Sequence, residues 1–135
     1  VTRSTGGEGH RREAQNELNG LLDHIRNHRI DGVVFLVGDR HYSELHFEPR
    51  EGQPPLLEFT SSPLQQDQKV GPLKNRPNPY RVWGMRGNSY GLVTVDIPEP
   101  GRGTVRFEVR NEANTVPVVE DTRCASTWQI SDLQY

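Results

Sequence analysis

The sequence predicts a mixed α/β fold: one amino-terminal helix, a buried strand, and then a mainly antiparallel β meander. Three observations carry that expectation. Ala14, Leu18, Leu21, Leu22 and Ile25 recur at helical intervals, which gathers them on one face. Val33, Val34, Phe35, Leu36 and Val37 run without interruption to Gly38, as in a strand buried on both faces. Thirteen Gly and ten Pro in 135 residues supply many turns, which favours β-rich or mixed structure over a helix bundle.

Residues 1–12 hold Gly6, Gly7 and Gly9 among charges and read as a flexible arm or a cut loop, which leaves residues 13–135 as the domain. The helix that follows carries Gln15, Asn16, Asn19, Asp23, Arg26 and Asn27 on its polar face. Gly20 costs it about 1 kcal/mol relative to Ala, less than five apolar anchors return. Ile30-Asp31-Gly32 ends it and the buried strand begins. A helix running into such a strand is half of an α/β unit, which implies neighbouring strands and a covering layer.

From Tyr42 to Phe47 the pattern alternates, with Ser43, Leu45 and Phe47 on one side and Glu44 and His46 on the other. Residues 50–55 supply turn chemistry and residues 56–60 the return strand. A long polar loop is expected over residues 61–79. Strands resume at residues 90–97, turn over 98–103, and return at 104–110 with Val105, Phe107 and Val109 inward. A further strand is expected at 116–122 and a last edge at 128–133. One helix cannot cover this much sheet. Either two sheets pack together or a missing piece supplies the cover.

Composition narrows the function classes. Hydrophobic residues make up 32 % and mean hydropathy is −0.79, polar for a self-sufficient domain of 15.4 kDa. A net charge of −2 does not indicate general attraction for nucleic acid. Fourteen of the sixteen basic residues are Arg, compatible with anion pairing or with coding bias. The single cysteine, Cys124, excludes an internal disulfide and a multi-cysteine zinc site. The longest apolar run is far too short to span a bilayer. The chain opens at Val1 and its only methionine is Met85, so the expectation is that its beginning, with any targeting segment, is missing.

The strongest site signal is Gly38-Asp39-Arg40-His41, directly after the buried strand. In open α/β sheets ligands gather outside the carboxyl ends of strands, and glycine there permits a sharp turn. A carboxylate and an imidazole two residues apart can aim at one point, and both suit a divalent ion or iron. The same spacing also fits a plain turn in which Asp39 caps backbone amides and His41 is merely polar.

Residues 33–45, Val-Val-Phe-Leu-Val-Gly-Asp-Arg-His-Tyr-Ser-Glu-Leu, resemble the last metal-binding motif of the PhoD-like phosphatases (the alkaline phosphatase D family, calcineurin-like metallophosphoesterases). Other segments agree in order: the helix over 12–28, Glu58-Phe59-Thr60-Ser61-Ser62-Pro63-Leu64, Arg81-Val82, and the Asn88-to-Asp96 strand. The resemblance covers roughly residues 11–112. Val37 and Tyr90 stand where the family often has Ser and Phe.

That resemblance implies a four-layer α/β/β/α sandwich, of which this chain is the carboxyl-terminal half. It implies a metal pair, drawn from iron, calcium, zinc or manganese, with Asp39 and His41 as the ligands of the final motif. No catalytic role transfers to Arg40. The family's amino-terminal ligand motifs are absent, and Cys124 matches none of them. The partner implied is therefore the amino-terminal half, nicked or on a separate chain, and the substrate is a phosphate ester. Export is implied by the resemblance alone. The alternatives are a non-catalytic β-rich module that binds another protein, and an inactive fragment.

Other candidates read more simply as structure. His24 and His28 lie one turn apart, but no carboxylate-rich motif accompanies them, so a solvated helix end is expected. His46 is assigned to a surface pair with Glu44 and Glu48, and His10 to the solvated arm. Arg76, Arg81 and Arg86 suit either phosphate contact or ordinary surface charge. Ser61 and Ser62 lack a His-Asp companion motif. Trp83 and Trp128 are assigned to packing.

Overall fold

The computed structural model describes residues 15–66, 69–73 and 78–134. In chain order come α1 (Gln15–Asn27), β1 (Val34–Val37), β2 (Ser43–Glu48), β3 (Leu56–Thr60) and β4 (Arg81–Met85). The carboxyl-terminal part adds β5 (Ser89–Glu99), β6 (Arg102–Asn111), β7 (Val118–Val119), β8 (Thr122–Arg123), β9 (Ala125–Gln129) and a 3-10 turn over Ile130–Leu133. The expected arm over residues 1–12 lies outside the described residues, as does Ala14.

Helix α1 buries Leu18 and Ile25, two turns apart, while Leu22 is half-buried and Leu21 is exposed. Its apolar stripe is thus narrower than the sequence spacing suggests. Arg29 closes the helix at φ 51°. The amide of Ile30 donates to the carbonyl of Ile25 at 2.9 Å and that of Arg29 to Arg26 at 3.1 Å, satisfying two otherwise unpaired carbonyls.

The first four strands form one sheet in the order β1-β3-β2-β4. β1 runs parallel to β3, and the other pairings are antiparallel. The second sheet, β5-β6-β9, is antiparallel throughout. The two sheets pack face to face and cover one another's inner faces, while Leu36, Val95 and Ile97 stay exposed. Leu45, Leu57, Phe59, Trp83 and Met85 from the first meet Val105, Phe107 and Val109 from the second in one core. The rings of Phe59 and Phe107 lie 5.3 Å apart, and Trp83 donates across the interface to Ser126 Oγ at 2.9 Å. Phe47 stacks on Trp128 at 4.6 Å. Both tryptophans are packing residues, as expected.

Four expectations need correction. β1 is not buried on both faces: it pairs only with β3 among the described residues, and Leu36 is 64 % exposed. β4 lies where no strand was expected. The strand expected at 116–122 is replaced by the β7–β8 hairpin of two-residue strands, Val118–Val119 and Thr122–Arg123. The last edge strand is β9, which begins at Ala125 and ends where Ile130 enters the 3-10 turn. No helix among the described residues is long and apolar enough to cross a membrane.

His46 also departs from expectation. Strand alternation places it correctly beside Glu44 and Glu48, but that face is covered and His46 is 2 % exposed. Asn78 lies over it, its Nδ2 within 3.1 Å of His46 Nδ1 and donating to Glu44 Oε1, and the Tyr80 ring lies 5.7 Å away. Glu58 faces His46 across the β2–β3 ladder, and Arg81 pairs with Glu44 at 2.7 Å. Burial lowers the His46 pKa below its ordinary 6.5, against the opposing pull of Glu58, Glu48 and Glu44. The unfolded chain therefore takes up a proton on this imidazole before the folded one does. Stability is expected to fall as pH drops below about 6.5. Urea unfolding midpoints between pH 5 and 7.5 check this, and His46→Gln should flatten the slope in that window.

Candidate metal centre

Because β1 and β3 are parallel, their carboxyl ends open on the same edge of the sheet. The turn after β1 carries Asp39 and His41, and the loop after β3 carries Ser61 to Gln66. The two are joined at their roots, where the Ser61 amide donates to the Val37 carbonyl at 3.0 Å. The left-handed residue of the turn is Asp39, at φ 57°. Asp is among the few L-residues that tolerate this conformation. Both Asp39 and His41 are exposed at the turn.

Between them Arg40 folds back onto Tyr42. Its Nη2 donates to the phenol oxygen at 3.0 Å, and its guanidinium carbon lies 5.2 Å from the ring centroid. His41 Nε2 lies 3.0 Å from Gln66 Nε2, so the carboxamide N–H donates to the ring nitrogen. The Gln66 backbone amide donates to Asn88 Oδ1 at 2.7 Å, and Asn88 Nδ2 donates to Glu112 Oε1 at 2.6 Å. Ser43 anchors the same loop: its hydroxyl donates to the Ser62 carbonyl and accepts from the Ser62 amide, both at 3.1 Å. Ser89 Oγ lies 3.1 Å from Ser43 Oγ. Gln66, Asn88, Glu112 and the Ser43–Ser89 pair were not assigned roles from the sequence. Ser43, Asn88 and Ser89 fell within recognised motifs.

Gly91 lets β5 approach this edge. A Cβ there would meet Phe59 Cε1 at 2.7 Å and Ser61 Cβ at 2.8 Å. Gly91→Ala is expected to cost about 1–3 kcal/mol by overpacking, read as a lowered urea midpoint.

Two donors of suitable chemistry, a carboxylate and an imidazole, stand on one exposed turn, with the Nε2 lone pair of His41 already accepting from Gln66. Asp39 and His41 are of the chemistry that could supply two donors to a metal. Among the described residues, no group of three or more His, Cys, Asp or Glu side chains is arranged to hold an ion. His24 and His28 stack at 4.1 Å on the exposed end of α1. Arg81 is engaged with Glu44, Arg86 is exposed, and Arg76 and His10 lie outside the described residues. Burial pushes the Cys124 thiol up to about 11, so it stays protonated and serves as a packing group. No family model matches the chain, and no curated protein or solved structure matches it either.

Proposed function

We propose that the chain is the carboxyl-terminal part of a metal-dependent phosphoester hydrolase, a four-layer α/β/β/α sandwich of the PhoD-like kind. Asp39 and His41 are its share of the metal site. The observation that supports this reading is the position of the Asp39–His41 turn, left-handed at Asp39, directly after the carboxyl end of β1 beside the parallel β3.

Two protein donors do not hold a metal pair, so the other ligands come from an amino-terminal half, on the same or a separate chain. A groove of about 450 Å³ supports that division. It runs beside the open edge of β1 and is lined by Val34, Leu36, Val93, Val95, Ile97 and Leu133, among others. Val95 and Ile97 are each 57 % exposed, a strongly apolar face for a finished surface.

When bound, the metal pair supplies an activated water and neutralises charge on the phosphoryl oxygens. Asp39 would contribute an oxygen donor and His41 a nitrogen donor. Arg40 is held against Tyr42 and takes no part. The test is hydrolysis of 4-nitrophenyl phosphate and bis(4-nitrophenyl) phosphate by the chain with whatever polypeptide copurifies. Turnover lost on chelation, and restored by iron, calcium, zinc or manganese, is the expected result. Turnover that survives chelation, or none in a metal-loaded assembly, overturns the reading in favour of a non-catalytic module.

A further inference from the structure

The two ring nitrogens of the buried His46 are treated unequally. Nε2 makes no hydrogen bond among the described residues, and Glu48 Oε2 stands off from it at 3.6 Å. Nδ1 lies 3.1 Å from Asn78 Nδ2. The orientation of that carboxamide is fixed at both ends: its oxygen accepts from the Tyr80 amide at 3.1 Å, and its Nδ2 donates to Glu44 Oε1 at 3.3 Å. Asn78 is therefore a donor towards His46, so Nδ1 is the acceptor and the proton of the neutral ring sits on Nε2. Asn78 also secures the entry to β4. Its carbonyl accepts from the Arg81 amide at 3.2 Å, and the next link is the Tyr80 carbonyl, which accepts from Phe47 at 2.9 Å.

A second proton on the ring must go to Nδ1, where it meets a donor. Asn78 cannot turn over to receive it, because that would set Nδ2 against the Tyr80 amide and Oδ1 against the Glu44 carboxylate. The surroundings nevertheless favour the charged ring once it forms. Among the described residues, the titratable and charged groups facing it are Glu44 and Glu48 on β2, Glu58 on β3, Tyr80, and Arg81 on β4, which is paired with Glu44. The neutral ring thus keeps Asn78 and leaves Nε2 unpaired, while the charged ring gains Glu48 and loses Asn78.

We propose that His46 and Asn78 form an acid-operated latch: protonation of the imidazole releases residues 78–80 from the β2–β3 face while the two-sheet core stays folded. The latch is independent of the metal reading. Burial lowers the His46 pKa below 6.5, so the latch is shut at neutral pH and opens on the acid side of that value. Coupling one proton to opening changes the opening equilibrium by at most about tenfold per pH unit.

The test is amide hydrogen exchange followed by NMR on the chain with whatever copurifies, read as protection factors from pH 7.5 to 5 beside the titration of the His46 ring. The Phe47, Tyr80 and Arg81 amides are expected to lose protection about tenfold for each pH unit below about 6.5. The Val109 amide, bonded to the Cys124 carbonyl at 3.0 Å in the core, should stay the better protected throughout. Asn78→Asp supplies the acceptor that the charged ring lacks, so in that variant the three amides should stay protected down to pH 5. Equal protection at Tyr80 and Val109 overturns the latch, because the whole fold would then be opening. Unchanged protection while the His46 ring titrates overturns it too, since the charged ring would fit beneath a shut cover. A loss in Asn78→Asp equal to that of the unsubstituted chain likewise overturns it.

Discussion

Asp39→Asn is expected to strip the metal and lower phosphoester turnover by about two orders of magnitude or more, with the fold intact. The substitution removes the charge and little else. Asn is close to Asp in size, and it is the other residue that readily adopts the left-handed conformation found here at φ 57°. The side chain is exposed, so no buried partner is lost. Asp39→Ala is the poorer probe, because it adds backbone strain of roughly 1–2 kcal/mol to the loss of the ligand. Element analysis, turnover and the urea midpoint, measured on one preparation, separate the ligand effect from unfolding. Full activity in Asp39→Asn would mean that the carboxylate is not a ligand.

Phe107→Ala should cost about 3–5 kcal/mol. Phe107 is 0 % exposed and the largest of the fully buried side chains. It touches Phe59 from the opposite sheet and forms part of the groove floor, so its removal opens a cavity where the two sheets meet. A domain of this size is stable by only about 5–15 kcal/mol, so the variant should be marginal at 25 °C. Chemical denaturation checks this through a lowered midpoint at unchanged slope. A loss below about 1 kcal/mol would mean that the sheets do not share this core.

Much of the fold was legible because it is written in local periodicity. The helix, the strands β1, β2 and β3, and the β5–β6 hairpin all announce themselves by apolar spacing and by glycine and proline at the turns. β4 was hidden because Arg81-Val82-Trp83-Gly84-Met85 is short, holds a glycine, and follows a proline-rich loop. Its strand character comes from pairing with β2, a long-range contact that spacing does not encode. β9 escaped for a related reason. Ala125, Ser126 and Thr127 are weakly apolar, and the β6 ladder holds them in place.

The site divides in the same way. Asp39 and His41 were visible because glycine, carboxylate and imidazole follow a strand at fixed offsets. The left-handed conformation of Asp39 within that turn was not visible in the spacing. His46 was placed on the correct face but with the wrong exposure. Alternation reports which side of a strand a residue occupies, and the cover supplied by Asn78 and Tyr80 lies more than thirty residues away. The Gln66–Asn88–Glu112 chain was illegible for the same physical reason. Three amide and carboxyl groups from three segments meet only once both sheets have packed.

The central claim is that this chain supplies part of a metal site completed by another polypeptide segment. Native mass spectrometry of the purified material, with element analysis and peptide mapping of the same sample, tests it most directly. The account predicts an assembly heavier than 15.4 kDa that carries metal and includes a polypeptide with further Asp, Asn or His ligands. A lone, folded and metal-free 15.4 kDa species would contradict it.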